Sequence, residues 1–181
     1  RYQAVREFMS GEFREAHKDK LFRAGPKPEV RLVEWEADAE VKFAAGILFK
    51  EVHGGWEDAL NAARDMGQEN RKKLFGKYLL NRQARWWKTG RAFENSYLRF
   101  EIVMDIGAYR DLHRHRMMTQ ERQMFSCHHG YNVPKEIEEA GFTEKFIKPL
   151  ESAKLLFDKI EPHDPELAQY VVPLAYRMRF Y

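Results

Sequence analysis

The clearest pattern in the chain runs from Tyr97 to Ile106, where Leu98, Phe100, Ile102, Met104 and Ile106 alternate with Arg99, Glu101 and Asp105. A period of two sends successive side chains to opposite faces, so this stretch predicts a strand with one apolar face. Gly107-Ala108 predicts a turn into a short helical segment, Tyr109 to His113. Val30 to Trp35 is rich in β-branched and aromatic residues and predicts a second strand, and Val171 to Tyr181 a third.

Elsewhere the spacing is three and four. A helix is expected from Tyr2 to Phe22, ended by Gly25-Pro26-Lys27-Pro28, since each proline pushes its predecessor toward extended geometry. Asp38 is placed to cap a helix carrying Val41, Ala44, Ala45, Leu48 and Val52, closed by Gly54-Gly55. Helices are also expected over Trp56 to Met66 and over Glu69 to Trp87, the latter basic on its exposed side with Trp86 and Trp87 buried against the sheet. After Tyr131-Asn132-Val133-Pro134 come Lys135 to Ala140 and a longer helix whose stripe is Phe146, Leu150, Ala153, Phe157 and Ile160, with Pro149 in its first turn or at a kink. Asp164-Pro165-Glu166 caps a last short helix. Strands and helices interspersed in this way predict an α+β fold, a twisted, mostly antiparallel sheet wrapped by helices.

The 181 residues, 44% of them hydrophobic, allow one domain with an appendage. The division expected is an N-terminal helix and linker over residues 1–28 and a domain over 29–181. Thirty-one Lys and Arg against 28 Asp and Glu leave a net charge of +3, too balanced for a surface that is a nucleic-acid field throughout, so any anion site must be local. Cys127 is the only cysteine, which excludes an internal disulfide and suits a reducing cytoplasm. No apolar run approaches the ~20 residues of a membrane span, and Arg1 to Phe8 lacks a signal-peptide core. The chain starts without Met and stops at Tyr181 without a capping signal, and is read as a fragment of something longer.

Candidate chemistry concentrates between Arg110 and Phe125. Arg114-His115-Arg116, with Arg110 and His113 beside it, supplies the donors that a phosphate or an electron-rich ring system takes. His113, His115, His128 and His129 offer imidazoles for a metal, but Arg114 between the first two repels a divalent ion, and no metal site is expected. Cys127 next to His128 offers a thiolate nucleophile, against which a lone cysteine reads as a small buried apolar residue. Arg85, Trp86, Trp87, Lys88 and Arg91 offer stacking and phosphate contacts to a nucleic acid; with the tryptophans taken as core residues, no nucleic-acid partner is expected. The long strand parts the segments on its two flanks, so a site that uses both implies an oligomer.

Arg114-His115-Arg116, the Thr119-Gln120-Glu121 continuation and Phe93-Glu94 upstream of the strand resemble the signature of the flavin-dependent thymidylate synthases, also called thymidylate synthase complementing proteins. The resemblance covers roughly Val30 to Tyr181. It implies a homotetramer with FAD across subunit interfaces, and transfer of a methylene from methylenetetrahydrofolate to dUMP with NADPH reducing the flavin. Carried over by position, Arg114, His115, Arg116, Glu121 and Arg91 would contact FAD, and Arg110, Asp111, Gln123 and Ser126 would lie at dUMP; no catalytic residue is assigned. The chain departs from the family at Thr89 and Asn95, where histidines are usual, at Asp111, where a glutamine is usual, and at Gln123 and Phe125, in place of the serine and arginine that hold the dUMP phosphate. The family's last functional segment would lie beyond Tyr181. These departures leave a rival reading, a catalytically silent copy from a duplicated protein that assembles with an active partner domain, and a more distant one, an RNA- or DNA-binding module.

Overall fold

The computed structural model describes residues 2–9, 12–21 and 29–181. Helices α1 (Tyr2–Phe8) and α2 (Glu12–Leu21) occupy the stretch expected to be one helix, and the Gly25 to Pro28 linker lies outside the described residues. Strand β1 (Glu29–Trp35), helices α3 (Ala39–Leu48), α4 (Trp56–Asp65) and α5 (Gly67–Tyr78) and strand β2 (Leu98–Asp105) follow. Then come α6 (Ile106–Leu112), α7 (Lys135–Glu139), α8 (Thr143–Ile160), α9 (Pro165–Ala168) and β3 (Arg177–Phe180). The strands form one sheet of order β1-β2-β3, with β3 antiparallel to β2 in the register Ile102 to Phe180 and Asp105 to Arg177. This is the expected α+β class.

The chain folds as two compact units, one of Arg31–Phe100 and one of Glu101–Tyr181 together with the N-terminal residues to Val30. In the helical unit, Ala44 and Ala45 of α3 meet Ala59 and Ala63 of α4, with Leu48, Leu74 and Phe75 around them. Four methyl side chains let the two helices approach closely, and Gly46 makes room for a different neighbour, the 92–95 segment: a Cβ there would stand 2.9 Å from Asn95 and 3.1 Å from Ala92. Asp38 takes the N-cap position without a capping bond, and Arg64 lies 3.9 Å from its carboxylate.

Helix α3 also stops at Leu48, short of the expected Val52, which lies in extended geometry after a 3-10 turn over 49–51. Two larger expectations fail in this unit. Helix α5 stops at Tyr78, not Trp87. Arg82 folds the following loop around itself, its Nε donating to Trp87 O at 2.9 Å and its Nη2 to Arg85 O at 2.5 Å. The tryptophans are not core: Trp86 is 78% exposed and Trp87 48%. The apolar spacing from Leu79 and Leu80 is real, but beyond Tyr78 there is no helix to turn it onto one face.

In the other unit the core gathers Ile106, Tyr109, Leu150, Phe157, Tyr176 and Met178 among its buried side chains. Leu150 and Phe157 are the inward stripe of α8, and burying each contributes about 1.5–3 kcal/mol. Pro149 lies inside that helix, and Asp164 caps α9 by accepting from Glu166 N and Leu167 N, both at 3.0 Å. Strand β2 ends one residue earlier than its alternation suggested: Ile106 opens α6, and Val103, on the supposed polar face, is buried. The last strand is shorter than expected, because 169–171 form a 3-10 turn before Arg177.

Cys127 is 2% exposed inside this core, and burial pushes its thiol up to about 11, from 9.0. It is a packing residue, not a thiolate. At mildly alkaline pH a thiol reagent is expected to modify the folded protein roughly a hundredfold more slowly than the urea-unfolded chain, since two pKa units remove two decades of thiolate. Because the folded pKa is raised, the thiol's contribution to stability is intact below pH 9 and fades as pH rises toward 11; a urea midpoint that does not fall over that window would contradict the burial.

Candidate functional site

Strand β2 delivers the candidate site through α6. Asp105, in extended geometry at the helix start, accepts from Ala108 N at 2.7 Å, while Ile106 N donates to Tyr176 O and Gly107 N to Leu174 O. Helix α6 therefore starts at Ile106, where a turn was expected from Gly107-Ala108. Ile106 and Tyr109, three apart, are buried, and the Tyr109 ring meets Phe180 at 4.7 Å between centroids. With that face anchored, Arg110, Asp111, His113 and Arg114 are left exposed. The helix unwinds in tight turns, His115 N donating to Leu112 O at 3.0 Å and Met118 N to His115 O at 3.1 Å, and these present Arg114, His115 and Arg116 in succession.

Two clefts share this turn. One, of about 610 Å³, is lined by Tyr109, Arg110, Asp111, Arg122 and Phe125. The other, of about 430 Å³, is lined by His115, Arg116, Met118 and Gln120. His113 and Arg114 belong to both. These volumes fall in the range of small-molecule and cofactor sites. Arg114 forms an ion pair with Asp111, so one guanidinium of the tripeptide is already matched by a carboxylate. Among the described residues, the side chains of Arg110, His115 and Arg116 have no hydrogen-bond or ion-pair partner. Arg122 lies over the Phe125 ring, 4.2 Å from its centroid, so the ring forms an aromatic floor for this cation. Gln120 donates to Leu112 O at 3.3 Å, and its own side-chain oxygen is buried without a partner, an acceptor at the second cleft.

The structure thus gathers Arg110, Asp111, Arg114, His115 and Arg116. It does not bring Glu121, Gln123 or Ser126 to the lining of either cleft. Glu121 exchanges backbone hydrogen bonds with Tyr181, at 3.0 and 3.1 Å; Gln123 N donates to Arg179 O at 2.9 Å, and its side-chain oxygen lies 3.4 Å from His129 Nε2; the Ser126 hydroxyl accepts from His128 N. These residues extend the sheet beside β3 and continue into the next loop. Arg91 sits in the 3-10 turn at 91–94 of the helical unit. His128 pairs with Glu161 at 2.7 Å, and among the described residues no three His, Cys, Asp or Glu side chains converge as metal ligands. Tyr109 and Arg122 line the larger cleft although the sequence assigned them no site role, and Gln120, read only as part of the Thr119-Gln120-Glu121 continuation, lines the second; the aromatic in α6 and the polar run after Arg116 were the available signals.

A family model described as thymidylate synthase complementing protein matches residues 31–181. The chain belongs to this family. Among relatives of this thymidylate synthase complementing protein domain, it is 37% identical over 154 residues to a UPF0159 protein of Chlamydia pneumoniae, covering 85% of this chain and 29% of the relative. It is 35% identical over 151 residues to a UPF0159 protein of Chlamydia muridarum, covering 83% and 28%. The chain therefore spans under a third of the length of these relatives. Its fold is similar to that of the UMP/dUMP methylase PolB from Streptomyces cacaoi, solved with 5-Br dUMP, at a TM-score of 0.58 and 17% identity over 87% of this chain and 72% of that one. The same methylase solved with 5-Br UMP gives a TM-score of 0.58 at 14% identity over the same shares.

Asp111 lies one helical turn before Arg114, and the ion pair is the physical consequence. Both partners are largely exposed, so the pair is worth at most about 1 kcal/mol. Releasing Arg114 with Asp111→Asn is expected to tighten inorganic pyrophosphate binding about two- to fivefold, up to the limit that energy sets, as read by calorimetry. A weaker or unchanged affinity would mean that Arg114 does not face the anion.

Proposed function

We propose that this domain holds FAD at the paired clefts and serves an enzyme that methylates dUMP to dTMP with methylenetetrahydrofolate and NADPH. The observation that supports the reading is the pair of clefts joined at His113 and Arg114, with Arg110, His115 and Arg116 unpartnered beside them. Partnerless guanidinium groups suit an anionic dinucleotide, and Gln120 adds an acceptor for a ribityl hydroxyl or a ring N–H. When bound, the flavin supplies hydride transfer from the nicotinamide to the one-carbon unit. Arg116 and His115 would bind and orient the pyrophosphate, Arg110 would take a nucleotide phosphate at the larger cleft, and Arg122 over Phe125 would close that side against water. Support for dUMP comes from the PolB neighbour solved with 5-Br dUMP.

A tetramer belongs to the same proposal. Strand β1 exposes Val30, Leu32, Val33 and Trp35, and Leu98 and Phe100 of β2 are exposed as well, more apolar surface than a sheet edge carries in isolation. The Asp111–Arg114 pair favours one other reading: a copy that keeps the fold and leaves the chemistry to a partner domain, since a carboxylate beside the signature opposes a phosphate. The purified protein separates them. Bound flavin absorbance, with NADPH oxidation that dUMP accelerates, is the expected result; a colourless protein that neither binds added FAD nor responds to dUMP, yet co-assembles with an active domain, would establish the silent copy instead.

A further inference from the structure

We propose that the end of α5 and the loop after it form a binding surface for single-stranded nucleic acid. Between Arg71 and Lys88 the chain carries seven Lys and Arg and no Asp or Glu. The whole chain has a net charge of +3, so this stretch is +7 and the remainder −4: the net positive charge of the chain is carried by this segment. Leu74 and Phe75 turn onto the helical core, which leaves Lys72, Lys73 and Lys77 exposed on α5. Among the described residues the side chains of these lysines, of Arg85 and of Lys88 have no hydrogen-bond or carboxylate partner.

The loop adds stacking faces to the charge. Trp86 is exposed, and Trp87 lines a cleft of about 280 Å³ with Tyr78, Leu79, Asn81, Arg82 and Lys88. The loop is also held in shape. The two Arg82 bonds to Arg85 O and Trp87 O fix the backbone on both sides of Trp86, and Gly90, at φ +89°, turns the chain away where a Cβ would stand 2.5 Å from the Tyr78 hydroxyl. Cations interleaved with exposed aromatics satisfy both parts of a single strand, phosphates and unpaired base faces. An acidic peptide would match the lysines and leave the indoles unused. An anionic bilayer would need a continuous apolar helix face, and α5 has turned its apolar residues inward.

The test is the anisotropy of labelled oligothymidylate and oligouridylate with the purified protein between about 50 and 200 mM salt. Binding at low salt that falls linearly with log salt is expected, and replacing Lys72, Lys73 and Lys77 by glutamine should flatten that slope by about two. Trp86→Ala should weaken binding roughly five- to hundredfold while Trp86→Phe retains most of it. Far-ultraviolet circular dichroism confirms that each variant is folded, and Arg116→Ala should leave oligonucleotide affinity unchanged, which separates this surface from the flavin reading. The proposal is overturned by no binding at low salt, by a Trp86→Ala variant that binds as well as the parent, by equal Trp86-dependent binding to anionic vesicles, or by self-association that buries Trp86.

Discussion

Arg116→Ala is expected to weaken FAD binding by about 1.5–3 kcal/mol, roughly a ten- to 150-fold rise in Kd, the range for a charge-assisted hydrogen bond lost at a formed site. Three features make Arg116 the position where this loss should be largest. It lines the second cleft, its guanidinium has no partner among the described residues, and its neighbour Arg114 is already matched by Asp111. Arg114→Ala should therefore cost less, because removing that side chain also removes an internal pair and leaves Asp111 to water. Arg116 makes no contact that holds the fold, so its variant should unfold at the parent's urea midpoint, and the titration reads ligand contact alone. A flavin titration unchanged by the substitution would remove the assignment, whatever the family.

Legibility along the chain followed how much each residue's position depends on its immediate neighbours. The strand at β2, the stripe of α8 and the Asp164 cap were readable because period and capping are local, and each fixes its own backbone. What failed depended on particular contacts that no periodicity encodes, some distant in sequence and some within a single loop. Ile106 fits the strand alternation, yet its N–H is taken by Tyr176 O, seventy residues later, and the helix starts there. Val103 sits on the polar side of that alternation and is buried, because the sheet is covered on both faces at its position. Trp86 and Trp87 continue an apolar spacing, but Arg82 captures the loop carbonyls and ends the helical course before that spacing can bury them.

The site divides in the same way. Arg110, Asp111 and Arg114 to Arg116 come together because they follow one another through a short helix and its turns. Glu121 and Gln123 were assigned by their distance along the chain from the tripeptide, and the backbone instead uses them to extend the sheet beside β3. The Asp111–Arg114 pair was half visible: a carboxylate three residues before the tripeptide is plain in the sequence, and only the helical turn shows which cation it engages.

The largest stability effect is expected at Arg177, a residue with no place in the functional reading. It is 5% exposed at the start of β3, and burial lowers its pKa. Its Nη1 donates to His129 O at 3.1 Å and its Nη2 to Tyr131 O at 2.8 Å and to the Asn132 side-chain oxygen, while its backbone N–H donates to Gly130 O at 2.8 Å. One guanidinium thereby ties the loop over 129–132, which passes through Gly130 at φ +65°, to the sheet. Arg177→Met removes the cost of burying a charge, which taken alone would stabilise the fold. It also leaves two carbonyls facing an apolar side chain, at about 1–3 kcal/mol each, whereas exposed Asn132 recovers a bond to water. The balance is a loss of about 2–4 kcal/mol, read as a lower urea midpoint at unchanged m-value. Arg177→Lys keeps the charge but not the fork that spans two carbonyls, and should lose about half as much. Amide exchange at Arg177, whose N–H bonds to Gly130, should rise in the methionine variant ahead of exchange at Leu150 and Phe157 in the core. Since Arg177 lines neither cleft, the anion affinity of the folded variant should stay within about threefold of the parent; a variant as stable as the parent would show that the loop is held by its own turn and not by this side chain.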